Sequence, residues 1–427
     1  MRSPLRSPRL RRIVTAYTVN RLGTWFGYVA LSIAVFDHTH SALAVAALLI
    51  CGQVLPAFLS PAVIARVEAS HRRGELSGLY FFEMIATVAL AVLLWHFWLP
   101  AVLVLVALDG TASLAASALL RAAAARTAHE SGERPSDGAA GVQPAIGPHE
   151  AERRANAALN IAFSGTFMLG PVLAAAVVAA AGGSTALFID AASFLLCGAM
   201  LTDLRPHVED LGEASVRARL RAAWDHINEV RALRTLLLTE AVALVFFEFS
   251  GPIEIVYAKA TLHAGDRGYG LLLTAWGAGV VVGSIVFARS ARRPLGAMLS
   301  LGTLGVGLAY VGFAAAPTLA LACVAALCGG VGNGVQWASL ISAVQRLTPP
   351  RLHGRLMGAI ESLGSVCPAL GLSLGGALVA LSSPRGAFLI AGLGATATTV
   401  AFVRLFRHGL EPQPRAGEAG IAGEGAT

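Results

Sequence analysis

The chain has 427 residues, 56% of them hydrophobic and only 13% charged, against roughly 25% charged in an average soluble domain. That is too little charge to coat a soluble surface. The apolar stretches between charged clusters are twenty or more residues long, the length a helix needs to cross about 30 Å of hydrocarbon. The net charge of +7 raises nucleic-acid binding, which the absence of a basic face interleaved with aromatics excludes.

In chain order the apolar runs predict spans at 13–36, 42–65, 75–97, 99–122, 156–181, 184–203, 235–260, 268–289, 295–315, 318–345, 355–381 and 386–407. Met1 to Arg12 and the run after it resemble a secretory signal, but the run is too long for a signal core and carries Asn20 and Arg21. It reads as an uncleaved first helix. Of the 32 Lys and Arg residues, 28 fall in one set of alternate loops. Lys259, Arg267 and Arg385 fall in the other set, and Arg21 lies inside span one. Basic loops are retained in the cytoplasm, so the alternation expects both termini there, an even count of twelve spans, and a multi-pass protein of the cell (inner) membrane. The single lysine, Lys259, reads as a mark of codon usage. The cysteines (Cys51, Cys197, Cys323, Cys328 and Cys367) all sit in apolar spans, and none forms a Cys-x-x-Cys pair that would suggest a disulfide framework or a zinc site.

The spans divide into a six-helix bundle at 1–203 and a second at 235–407. Residues 127–150, rich in Gly, Pro, Ser and acid, read as a disordered cytoplasmic loop, and 408–427 as a disordered tail. The linker 204–234 carries Val216, Leu220, Trp224, Ile227 and Val230 at spacings of three and four, the pattern of an amphipathic helix lying on the membrane surface. The halves echo one another. Arg66, Arg72 and Arg73 follow span two as Arg289, Arg292 and Arg293 follow span eight, and Gly165, Gly170 and Pro171 in span five parallel Gly364, Pro368 and Gly371 in span eleven. Such internal similarity is the trace of repeat-built transporters, whose substrate sites lie near the midplane.

The whole chain from about Val14 to Arg407 resembles the major facilitator superfamily, and more narrowly the twelve-span bacterial multidrug, macrolide and siderophore exporters. The residues that carry the resemblance begin with Asn20-Arg21-Leu22-Gly23 and Trp25 in span one, then Gly170-Pro171 in span five. Asp190, Ser193 and Phe194 in span six, and Pro350, Gly354-Arg355 and Met357-Gly358 entering span eleven, complete the set. The resemblance implies an all-α integral membrane protein, two six-helix bundles of the major facilitator fold, and proton-driven export by alternating access. The chain departs from the family in the loop after span two, where Ser60 stands near an expected glycine and no Asp precedes Arg72-Arg73. Thr24 also stands where the family often has Asp.

A charge at the bilayer centre costs at least a few kcal/mol, so a carboxylate there faces a cavity or a partner. By depth the central candidates are Asp109 in span four, Glu248 in span seven, and Asn333 and Gln336 in span ten. Asn333, Gln336 and Trp337 stand at i, i+3 and i+4. Arg21 and Trp25 are one turn apart. An aromatic set beside amides and carboxylates suits a partly apolar organic cation or amphiphile. In span seven Glu240 and Glu254 fall within about 40° of each other and Glu248 about 80° from Glu240, with Gly251 and Pro252 placed to kink the helix. Burial moves a carboxyl's proton affinity toward neutral pH, the requirement for proton coupling. Asp109, Glu248 and Glu254 are therefore the coupling candidates, with Glu240 read as an interfacial residue and Glu83 as a structural one.

The function expected is efflux of a small amphiphilic organic compound in exchange for protons, by a monomer that needs the lipid bilayer, a small-molecule substrate and protons as partners. An importer or symporter of the same fold, or a non-transporting sensor or scaffold with a degraded gating loop, stand as alternatives. No phosphate-cradling glycine loop, nucleophile elbow or metal-ligand cluster occurs, so neither an enzyme nor a cofactor nor a metal is expected.

Overall fold

The computed structural model describes residues 7–70, 74–133, 148–204, 224–225, 227–290, 293–348 and 353–406. The long helices of the first half are α1 (Pro8–Thr39), α2 (Ala42–Leu49), α3 (Leu55–Ser70), α4 (Glu75–Leu93), α5 (Leu99–Glu133), α6 (Pro148–Ala181) and α7 (Gly183–Met200). Those of the second are α8 (Arg231–Glu248), α9 (Ser250–Val256), α10 (Gly265–Arg289), α11 (Leu295–Ala315), α12 (Leu319–Leu347), α13 (His353–Leu381) and α14 (Pro384–Phe406). Helix α2 continues into α3 through a π turn at Ile50–Val54, and α9 ends in another at Tyr257–Thr261. Among the described residues nine helical segments are long and apolar enough to cross a membrane, so nine of the twelve expected spans are matched in length and composition.

Two expectations about loops meet the structure at their edges. Helix α5 runs on to Glu133 and α6 begins at Pro148, so both ends of the segment expected to be disordered are helical. The Ala-rich run before Arg126 has the highest helix propensity, and Pro148 supplies the preset φ that suits a first helical turn. Residues 134–147 lie outside the described residues, as do the tail 408–427 and, for its greater part, the amphipathic segment of the linker.

The helix pairings of the two halves correspond. In the first half α1 packs on α6 and α7, α4 on α5 and α7, and α3 on α5. In the second α8 packs on α13 and α14, α11 on α12 and α14, and α10 on α12. The halves join through two equivalent seams, α6 with α10 and α2 with α13, and through α9 against α1 and α2. This is the packing that the repeated motifs imply.

Proline explains where the helices bend, and glycine explains how closely they approach there. Pro56 has no N–H for the carbonyl of Gly52, and the ladder widens into the π turn in which Leu55 N–H bonds to Ile50 O. A Cβ on Gly110 of α5 would fall 2.5 Å from that Gly52 oxygen. Pro171 likewise frees the carbonyl of Phe167, and a Cβ on Gly277 of α10 would lie 2.9 Å from it. Pro252 removes the donor to Glu248 O, and the rod breaks between α8 and α9 at Phe249. Gly371 of α13 seats against this break, its position for a Cβ only 2.6 Å from Glu248 Cβ. Backbone thus meets backbone where the ladders are interrupted, as small residues allow in helix bundles without water between them.

Candidate transport site

One end of the molecule is closed across the two halves. Lys259 Nζ, in the π turn after α9, lies 2.5 Å from Asp37 Oδ1 of α1 and 2.6 Å from Asp266 Oδ1 of α10. Nearby, the position for a Cβ on Gly376 of α13 lies 3.0 Å from Ala46 Cβ of α2. The other end carries the arginines: Arg12, whose guanidinium pairs with Asp203, and the exposed Arg66, Arg289 and Arg293. Arg72, Arg73 and Arg292 lie outside the described residues. Toward this basic end α6 and α10 part around a cavity of about 250 Å³ lined by Phe163, Phe167, Val280, Val281, Ser284 and Ile285.

Behind the cavity an aromatic ladder runs along α1 and α6. The Arg21 guanidinium sits 5.0 Å from the centre of the Phe163 ring. Phe163 and Phe167 are 5.9 Å apart, and Trp25 meets Phe167 edge-on at 5.2 Å and Tyr28 at 5.6 Å. Arg21 and Trp25, one turn apart in sequence, are thus brought together by successive turns of α6. Gly170 is the reason the indole fits: a Cβ there would fall 2.8 Å from Trp25 Cβ. Pro171 follows it, while Gly165 meets nothing within 4 Å.

The carboxyls divide into three places. Asp109 accepts a hydrogen bond from Thr87 Oγ1 at 3.4 Å, and it comes within electrostatic reach of Glu83 on α4 and Asp190 on α7. Glu83 is completely buried, and neither of its oxygens has a hydrogen-bond partner among the described residues. Asp190 seats on α1, where Cβ atoms at Gly23 and Gly27 would come 2.7 and 2.5 Å from its oxygens. The second place is the joint between halves. Glu254 lies near Glu248, with Tyr28 of α1, Tyr269 of α10 and Tyr310 of α11 close by.

The third place corrects the reading of Glu240 as an interfacial residue. Gln336 Nε2 of α12 reaches both Glu240 oxygens, at 3.2 and 3.3 Å, inside the second bundle. Gln336 is buried and Trp337 is 52% exposed, so the structure separates two residues that the spacing grouped; Asn333 is half-buried. Sequence reading also missed the association of Glu83 with Asp109. The available signal was depth: the two flank the bend at Phe97-Trp98, 14 residues before it and 11 after it, about 20 and 16 Å along their helices.

The sequence profile of the Major Facilitator Superfamily matches residues 236–425. Similar curated proteins include the multidrug efflux pump Tap of Mycobacterium tuberculosis, 26% identical over 264 residues. That match takes in 59% of this chain and 61% of the relative, so the chain spans about three fifths of the relatives' length. An uncharacterized MFS-type transporter, YfiS of Bacillus subtilis, is 26% identical over 237 residues, 53% of this chain and 57% of the relative. Among solved structures, the nucleoside transporter NupG superposes with a TM-score of 0.73 at 11% identity, covering 94% of this chain and all of NupG. A bacterial homologue of the iron transporter ferroportin in its inward-facing state gives 0.69 at 17% identity, covering 94% and 99%. The profile covers under half of this chain, and the likeness to the solved structures shows the fold: an all-α arrangement of helices shared with transporters of known structure.

Proposed function

We propose that the chain exports a small, amphiphilic organic compound from the cytoplasm in exchange for protons. The observation that carries this reading is the cavity beside Phe163 and Phe167, with the Arg21–Trp25 ladder behind it. Its aromatic faces and apolar walls suit a flat, partly apolar solute. Opening toward the basic end, which the charge distribution assigns to the cytoplasm, gives such a solute entry from inside the cell. The relatives named as multidrug efflux pumps, similar over part of this chain, support the direction.

Asp109, Glu248 and Glu254 are the groups we assign to proton exchange. Each lies within an expected span and has no Lys or Arg partner among the described residues, the placement that proton exchange asks of a carboxyl. Glu248 and Glu254 stand at the joint between halves, beside the Pro252 break, so their charge state bears on how α9 meets α1 and α10. In this reading the two bundles, 1–203 and 235–407, rock about the midplane of the inner membrane, both termini cytoplasmic, within a single copy of the chain.

The test is efflux of antibiotics, dyes and siderophores from a pump-deficient bacterial strain expressing the chain, with and without a protonophore. Protonophore-sensitive efflux of an amphiphilic compound, lost in an Asp109→Asn/Glu248→Gln double variant, is expected. Efflux indifferent to the protonophore would overturn proton coupling, and uptake in place of efflux would overturn the direction.

A further inference from the structure

The second bundle holds a small cavity of about 10 Å³ whose wall is part apolar, from Ala243 and Leu299, and part oxygen-bearing; it is about the size that admits one water-sized occupant. Its oxygens come from Glu240 and Thr239 of α8, Ser300 and Thr303 of α11, and Thr399 of α14. The donors of this wall are already committed. Thr239 donates to Thr235 O at 2.8 Å, Ser300 to Gly296 O at 2.8 Å, Thr303 to Leu299 O at 3.0 Å and Thr399 to Ala395 O at 3.0 Å. A hydroxyl has one proton and two lone pairs, so each of these groups offers the cavity acceptor lone pairs alone. The Gln336 amide, on α12 and outside the cavity's lining, gives its N–H to the Glu240 carboxylate.

A compartment whose polar side offers only acceptors and one carboxylate, facing Ala243 and Leu299 across it, suits an occupant that is small, positive and held by oxygen. Hard cations are bound in this way by carboxylates, carbonyls and neutral oxygens. One negative charge balances one positive charge, and among the described residues no Lys, Arg or His faces Glu240. We propose that this cavity is a binding site for one hard monovalent cation of sodium's size, held by Glu240 with the hydroxyls of Thr239, Ser300, Thr303 and Thr399. The ion ties α8, α11 and α14 together inside the second bundle, away from the coupling carboxyls assigned above. The site does not depend on the export reading.

The probe is sodium itself, and the readout is thermal unfolding of the purified full-length protein in detergent. Unfolding is followed in NaCl against KCl and choline chloride at equal ionic strength. The expected result is a saturable rise in Tm specific to sodium. It should be absent in Glu240→Gln, and its half-saturating concentration should rise about tenfold or more in Thr303→Val, a single lost ligand being worth more than about 1.4 kcal/mol. If Glu240→Gln does not fold, Thr399→Val serves with Thr303→Val, since each removes one oxygen and leaves the carboxylate and its amide partner in place. A Tm that rises equally in all three salts overturns the site, as does a sodium response unchanged in both threonine variants. The first of these outcomes would mean a water and a protonated carboxyl occupy the cavity. Because no substrate enters the measurement, failure here leaves efflux intact, and failure of efflux leaves a sodium response standing.

Discussion

Lys259 Nζ lies 2.5 Å from Asp37 Oδ1, and the pair spans the two halves of the molecule at the end away from the arginine-rich loops. Asp37 belongs to the first helix and Lys259 to the end of the seventh rod, so the pair persists only while those halves meet there. Asp37 is nearly half exposed and Lys259 mostly covered. An ion pair at such a boundary contributes about 1 kcal/mol, enough to move a two-state equilibrium about fivefold.

The consequence can be read at Ala46, which faces the Gly376 position of α13 across the same seam. In a cysteine-free background, Ala46→Cys should react about fivefold faster with a membrane-impermeant maleimide when combined with Lys259→Ala. Lys259→Arg should keep the original rate. Unchanged labelling in Lys259→Ala would show that the pair does not hold this end closed.

Gly165 and Gly170 stand in one motif and should respond oppositely. A methyl at Gly170 enters the space of the Trp25 side chain, and overpacking of this kind costs about 1–3 kcal/mol. Gly165 has open space around the position of a Cβ, so Gly165→Ala should be neutral or stabilise by up to about 1 kcal/mol through helix propensity. Thermal unfolding of both variants in detergent checks the contrast; equal losses would contradict the packing described for Trp25.

The pair between Arg12 and Asp203 gives a pH dependence with a definite sign. Its hydrogen bond from the Arg12 guanidinium holds the Asp203 carboxyl below the ordinary carboxylate range. A lowered folded value means stability that is present above the unfolded pKa of about 3.9 and is lost as pH falls through the folded one. Asp203 is 53% exposed, so solvent screens the pair and leaves it a few tenths of a kcal/mol. Arg12→Gln should therefore shift Tm at pH 7 by about 1 °C or less, with the difference vanishing toward pH 3. A loss of about 5 °C or more at pH 7 would assign Arg12 a larger role than this pair.

Much of the fold was legible in sequence because hydrocarbon thickness, loop charge and proline position each leave a local mark. Pro252 and Gly251 announced the break between α8 and α9, whereas Gly170-Pro171 marked close packing without naming Trp25 as the partner. The site was less legible because polar partners come from distant helices. Helical spacing grouped Gln336 with Trp337, yet what turns Gln336 inward is Glu240, 96 residues away. Depth alone joined Asp109 to its span; only packing brings Glu83 to it. Lys259 read as codon usage because its two aspartate partners lie in other rods, Asp37 far away in sequence and Asp266 across the next turn.

Proton exchange through the interior carboxyls is the central claim, and proton movement driven by solute in purified protein tests it most directly. The chain is reconstituted in liposomes containing a trapped pH-sensitive dye, and an amphiphilic cation such as ethidium is applied as a gradient. The account predicts proton flux opposite to the ethidium flux in the wild-type protein. That flux should fall at least about tenfold, a loss of about 1.4 kcal/mol or more, when Glu248→Gln is combined with Asp109→Asn. Ethidium movement with no accompanying proton flux, or a proton flux unchanged in the double variant, would contradict it.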